Sequence, residues 1–280
     1  MTSFSLIALL TDFGQRDWYV PAMKGVILTR CPQARIVDIT HDIPPQDVTA
    51  GALTLAASIR WFPPGTIVVA VVDPGVGTGR ALLAIRAAGR YLIGPDNGLL
   101  SLAIQGETRL AAVRLTNRHF WLPEVSQTFQ GRDILAPVAA YLASGGRLKA
   151  LGVPVAQIAP LPLPAALRRG RSAVGQIIHI DAFGNIITNL PAAWVPKRPV
   201  RSRIMVRYKQ FEARVVSSYA ADGAGELIAV AGSLGLIELA IRERFAAWEL
   251  QARRGERVEL ELGQAVSGRV RGQPEGGRRR

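Results

Sequence analysis

The sequence predicts two domains: an α/β N-terminal domain with a mostly parallel sheet, then a smaller all-β, barrel-like C-terminal domain. Three observations carry this. The run Ile67-Val68-Val69-Ala70-Val71-Val72 is wholly apolar and ends abruptly at Asp73-Pro74-Gly75, as a strand covered on both faces does. Strand-like and helix-like segments alternate through Ile104, the order of a parallel sheet with crossover helices. From Val174 onward short strand-like runs recur between turns, the texture of a barrel or sandwich. The expected bounds are 1–160 for the α/β domain, 161–172 for a connection, 173–266 for the barrel-like domain and 267–280 for a basic flexible tail.

Taken in order, Leu6 to Leu10 reads as a first buried strand rather than a signal peptide, since no basic segment precedes it. Thr11-Asp12-Phe13-Gly14 ends it. Asp17 to Thr29 has helical spacing, with Tyr19, Met23, Val26 and Ile27 on one side. Ile36 to Ile39 is a second strand. Asp47 caps the next helix, which runs through Ala50 to Ile59 until Pro63-Pro64-Gly65. Leu82 to Ile85 and Tyr91 to Ile93 are short strands around a Gly89-Arg90 turn, and Leu99 to Ile104 reads as helix. A turn-rich stretch, Ser126 to Asp133, precedes an apolar helix, Ile134 to Leu142, that Asp133 or Thr128 would cap. Val153 to Arg171 is rich in Pro, Ala and Arg and reads as the connection. Strand candidates then follow at Val174 to Ile180, Ile186 to Thr188, Arg203 to Tyr208, Phe211 to Val216, Leu227 to Val230, Gly235 to Leu239 and Val258 to Leu262, with a strand-to-helix passage over Ala240 to Trp248.

Composition excludes several classes. Hydrophobic residues at 49% against 20% charged supply real cores and argue against disorder. The single cysteine, Cys31, excludes an internal disulfide and a cysteine zinc site and reads as a buried structural thiol. No apolar run approaches the ~20 residues of a membrane span, so a cytoplasmic protein is expected. The net charge of +13 invites nucleic acid, but the cations are scattered except at Arg168-Arg169-Gly170-Arg171 and in the tail. Nonspecific nucleic-acid affinity through that tail is the most that this predicts.

The candidate chemistry sits at strand ends. Asp73, just past the apolar run, would stand on the rim of a crevice with Arg80 closing the same loop. Such a pair can hold a water or a polar substrate group, or simply stiffen the loop. A carboxylate past a strand, as Asp12 is, can accept both hydroxyls of a ribose. Asp181, Phe183 and Asn185 end a strand of the second domain; Phe183 can stack on a base and Asn185 can read a base edge. Gly75-Val76-Gly77-Thr78-Gly79 has neither the Lys nor the spacing of a phosphate loop. His41, His119 and His179 lack metal-ligand spacing, so they read as structural and no metal is expected.

Seven strings, in order over nearly the whole chain, resemble the S-adenosylmethionine (SAM) hydroxide adenosyltransferase family, relatives of the SAM-dependent fluorinase and chlorinase. They are Leu10-Thr11-Asp12-Phe13-Gly14, Met23-Lys24-Gly25-Val26-Ile27, Val37 to Asp47, Val71 to Thr78, Gly94 to Leu100, Thr128-Phe129 with Gly131-Arg132-Asp133, and Ile180-Asp181 with Phe183-Gly184-Asn185. Gly225-Glu226-Leu227 with Gly232-Ser233 extends the match. The resemblance implies an α/β domain, a β-barrel and a homotrimer that binds SAM between subunits. It implies that Asp12 holds the ribose hydroxyls, that Asp17, Asp181 and Ser233 receive the methionine end, and that Phe183, Asn185 and Tyr219 lie near the adenine. Phe129 and Gly131 would line the substrate. The implied reaction is displacement at the ribose C5′ by water or hydroxide, giving adenosine and methionine. Asp73 and Arg80 would orient the water, and no cofactor is required because SAM is the substrate. Hydrolytic relatives carry a His where this chain has Gln130; an amide orients water but does not take its proton. Chloride transfer within the same family, or SAM or adenosine binding without turnover, are the alternatives.

Overall fold

A computed structural model describes residues 5–196, 200–206, 209–219 and 225–265, in two units that divide between Leu163 and Pro164. The tail expected at 267–280 lies outside the described residues.

The first unit is a seven-stranded sheet of order β2-β1-β3-β5-β4-β6-β7. Its strands are β1 (Leu6–Thr11), β2 (Arg35–Thr40), β3 (Ile67–Val71), β4 (Leu82–Ala87), β5 (Arg90–Pro95), β6 (Ala111–Leu115) and β7 (Gly152–Pro154). Five run in one direction and only β4 and β7 oppose them. Every residue of β3 is buried, as its unbroken apolar run requires. Side chains alternate between the two faces. Ile7, Leu9, Val69 and Val71 meet Met23 and Ile27 of helix α1 (Tyr19–Arg30) on one face. Ala8, Leu10, Val68 and Ala70 meet Ala52, Leu55 and Ile59 of α2 (Val48–Ile59) on the other. Each fully buried Ile or Leu contributes ~1.5–3 kcal/mol. The Asp47 carboxylate accepts the Ala50 N–H at 2.9 Å, the expected cap of α2.

This topology makes the crevice. From β1 the chain leaves through α1 to β2 on one side, then returns through α2 to β3 on the other. The connections after β1 and β3 therefore diverge, and their carboxyl ends frame a topological switch point.

Four local expectations are corrected. The β4–β5 turn is Ala88-Gly89, both at positive φ (46° and 74°), the two-residue hairpin geometry that matches strand twist. Leu99 to Ile104 yields only one 3₁₀ turn, Leu102–Ile104, in a stretch closed by i+3 to i bonds from Ser101 N–H to Gly98 O and from Ile104 N–H to Ser101 O, the tighter winding of short segments. β6 and β7 were not anticipated, one being Ala-rich and the other three residues long. The last helix of the unit begins with a π-helical turn, Gly131–Leu135, before α3 (Ala136–Ala143). Asp133 caps nothing: it is wholly buried, and its carboxylate accepts the Ser126 N–H at 2.8 Å and pairs with Arg132.

The second unit is a closed seven-stranded barrel, so the predicted fold class is borne out. Its strands are β9 (Ser172–Ile180), β10 (Ile186–Pro191), β11 (Val200–Val206), β12 (Lys209–Val216), β13 (Leu227–Ala231), β14 (Leu236–Ile241) and β15 (Arg257–Ala265), with β8 (Leu167–Arg169) flanking β9. Closure depends on β9. Ser172 to Gln176 pairs with β15, and Ile177 to Ile180 pairs with β10 on the opposite edge. Ile177, Ile186, Ile204, Val215, Leu239 and Leu260 fill the interior. A short helix, α4 (Ala246–Glu249), follows β14.

Candidate active site

In the first unit the loops after β1 and β3 bring together side chains 61 residues apart in sequence, Asp12 and Asp73. Asp73 is held by Arg80 in a two-pronged pair: Nε donates to Oδ1 at 2.7 Å and Nη2 donates to Oδ2. Both side chains are nearly buried, 7% and 10% exposed. The same Nη2 donates to Gln130 Oε1 at 2.7 Å. Asp73, Arg80 and Gln130 are thus one hydrogen-bonded cluster, although Gln130 comes from the segment before α3. The amide's oxygen is committed to Arg80, so its NH₂ is the end left to donate.

The turn carrying this pair is tight for a reason. Gly77 has φ +80°, and a Cβ there would lie 2.9 Å from the Gln127 carbonyl oxygen. The close approach brings the Asp73 loop against the segment that delivers Gln130. Asn97 supports it from below, donating its amide to the Val72 carbonyl at 2.9 Å.

Asp12 accepts the Gln46 N–H at 2.7 Å. Burial pushes its pKa above the usual carboxylate range; backbone N–H groups of Gln46 and of Asp12 itself oppose this, and the nearby Asp73 charge adds to it. Gln46 presents that N–H from a left-handed conformation, φ 65°. Asp17 is exposed in the loop before α1. Phe129 is in the core, edge-on to Phe13 and Tyr19 at 5.9 and 5.1 Å. Gly131 sits where an added Cβ would meet Met23 Sδ, Phe129 and Val71.

In the second unit, the turn after β9 gathers the other candidates. Asp181 Oδ1 accepts the N–H groups of Phe183 and Asn185 at 2.9 and 2.8 Å, and Oδ2 accepts Asn185 Nδ2 at 2.9 Å. Its carboxylate is therefore engaged in shaping the turn. Asn185 keeps Oδ1 as an acceptor. The turn projects Phe183 into solvent, 76% exposed. Tyr219 donates its hydroxyl to Glu238, and burial, reinforced by the Glu238 and Asp181 carboxylates, raises the Tyr219 pKa. Ser233 is exposed in the turn after β13. Among the described residues no group of three or more His, Cys, Asp and Glu side chains is placed to hold a metal ion.

Sequence reasoning missed Gln46, Asn97 and Glu238. Only Glu238 left a signal: a lone carboxylate in the apolar strand Leu236–Ile241, where burial demands a partner.

Residues 7–152 match the family described as SAM hydroxide adenosyltransferase N-terminal domain, and residues 175–259 match its C-terminal domain. This chain belongs to the SAM hydroxide adenosyltransferase family. Its relatives within and around the family agree. The (R)-S-adenosyl-L-methionine hydrolase of Salinispora tropica is 37% identical over 261 residues, covering 92% of this chain and 98% of the relative. The enzyme of the same name from Thermus thermophilus is 38% identical, covering 91% and 98%. A fluorinase of an Actinoplanes species is more distant, at 28% identity over 84% of this chain and 90% of its own. A crystal structure of an uncharacterized conserved protein from Thermotoga maritima aligns with a TM-score of 0.86 at 32% identity, covering 91% and 99%. Both family domains, not one, are present in this chain.

Proposed function

We propose that this protein hydrolyses SAM to adenosine and L-methionine. The observation that carries this is the half-buried Asp73–Arg80–Gln130 cluster beside Asp12, at the carboxyl ends of two adjacent parallel strands. The hydrolase relatives at 36–38% identity over nearly the full chain support the substrate.

The chemistry asks little of the protein. A sulfonium leaves without protonation, so the protein has to align a water opposite the C5′–S bond and receive its proton. Asp12 accepts the two ribose hydroxyls and fixes C5′. The Gln130 amide donates to the water, and Asp73 takes its proton. The water oxygen bonds to C5′, the C5′–S electron pair goes to sulfur, and methionine departs as a neutral thioether. Arg80 holds the Asp73 carboxylate aimed from two sides. Phe183 offers a stacking face, and Asn185 Oδ1 an acceptor for an exocyclic amine. Asp17 and Ser233 are assigned to the methionine end, and no cofactor takes part. The finer proposals are a homotrimer whose sites draw on two subunits, a cytoplasmic location, and weak nucleic-acid affinity through the basic tail. Light scattering tests the first, fractionation the second, and salt-dependent binding of a tail deletion the third.

The test is purified protein with SAM, separating adenosine and methionine by chromatography, with Asp73→Ala alongside. Stoichiometric products from the parent and none above background from the variant are expected. SAM bound without turnover over hours would make the protein a binder instead. 5′-Chloro-5′-deoxyadenosine in the presence of chloride would make it a halogenase; the anionic Asp73 beside the nucleophile argues against that outcome.

A further inference from the structure

We propose that His41 is a positioning residue for substrate binding, acting on Asp12 through Thr11. The proposal rests on the reading that Asp12 holds the nucleoside. His41 directly follows β2 and is 1% exposed. Its Nδ1 lies 2.8 Å from Thr11 Oγ1, and its Nε2 lies 3.0 Å from Asp38 Oδ1, an ion-pair distance without hydrogen-bond alignment. Asp38 Oδ2 in turn accepts Lys24 Nζ at 2.6 Å.

The proton positions follow from the partners. Only a carboxylate faces Nε2, so Nε2 carries the hydrogen. Nδ1 is then an acceptor, and the Thr11 hydroxyl must donate to it. That leaves the Thr11 oxygen lone pairs for the Phe13 N–H, which lies at 3.2 Å. Hydrogen bonds thus join Lys24 to Asp38, Thr11 to His41 and Phe13 to Thr11, and the contact of His41 Nε2 with the Asp38 carboxylate is electrostatic. The His41 carbonyl adds a second tie, accepting the Gly14 N–H at 2.8 Å.

The order carboxylate, imidazole, hydroxyl is that of a nucleophilic triad. Thr11 is wholly buried, however, and reaches no substrate. The series ends instead on backbone groups that bracket Asp12: Thr11 precedes it, and Phe13 and Gly14 follow. A carboxylate that must meet two hydroxyls at once tolerates little displacement, and His41 is the residue to which both flanks are tied, Thr11 through its ring and Gly14 through its carbonyl. Nothing in the sequence pattern required this. His41 read as one more structural histidine.

The experiment compares the parent with His41→Phe, His41→Gln, Thr11→Val and the core control Leu55→Ala. It measures adenosine affinity by calorimetry, SAM kcat and KM, and thermal unfolding. His41→Phe leaves the buried Thr11 hydroxyl without its acceptor and is expected to raise adenosine Kd and SAM KM about tenfold or more, with a smaller fall in kcat. Thr11→Val, nearly isosteric, should raise both in the same direction. His41→Gln, whose amide can accept from Thr11 and donate to Asp38, should recover most of the affinity. Leu55→Ala should lower the unfolding temperature yet leave Kd within about twofold of the parent. Unchanged Kd in both His41→Phe and Thr11→Val, or an equal rise in Leu55→Ala, would overturn the role of His41. If the parent itself binds no adenosine, the proposed function fails, and this inference fails with it.

Discussion

Asp73→Asn separates the structural and chemical roles of the central ion pair. The substitution keeps size and one acceptor. It removes the charge and turns an amide NH₂ toward Arg80, donor against donor. Both side chains are nearly buried, and breaking a buried pair from one side costs about 3–5 kcal/mol. Gln130 still accepts from Arg80 Nη2, so the lower end, about 3 kcal/mol, applies. At about 2–4 °C per kcal/mol for a unit of this size, the unfolding temperature should fall by roughly 6–12 °C. Turnover should fall further, by about 10²–10⁴-fold, because no other member of the cluster accepts a proton. Adenosine affinity should survive, since Asp12 and not Asp73 meets the ribose. The assay is adenosine release near neutral pH below the variant's unfolding temperature, with calorimetric adenosine binding in parallel. Turnover within about threefold of the parent would refute the assignment of Asp73 as proton acceptor. An unchanged unfolding temperature would refute the claim that its pair with Arg80 carries stability.

Three further outcomes are expected. Gln130→His should speed adenosine release about tenfold or more; no gain would show that proton removal does not limit the parent. Asp12 accepts two hydroxyls at once most strongly as the carboxylate, and its pKa is raised, so KM for SAM should climb as pH falls through that raised value, sooner than for an ordinary Asp. A flat KM down to about pH 4 would contradict this. Gly184→Ala should destabilise the barrel unit by about 2 kcal/mol or more, because φ is +77° and the new Cβ would stand 2.8 Å from the Phe245 Cα; denaturant unfolding measures it.

Much of the fold was legible because it depends on near neighbours. The β-branched run Ile67 to Val72, the Asp47 cap and the seven barrel runs each follow from periodicity or turn chemistry within a few residues. Asp12 and Asp73 could be found singly for the same reason: each stands where an apolar run stops. The motifs also carried the family resemblance. What no local pattern determines is which strand ends share a crevice. The β1–β3 pairing, set by opposite crossovers through α1 and α2, places Asp12 near Asp73. The close packing at Gly77 and the π-helical turn bring Gln130 to Arg80. Burial likewise decided roles that residue type left open, engaging Asp181 in its own turn, sinking Phe129 into the core and giving His41 a hydroxyl and a carboxylate. Hydrogen-bond partners far apart in sequence are selected by packing, and packing exists only once the whole chain has folded.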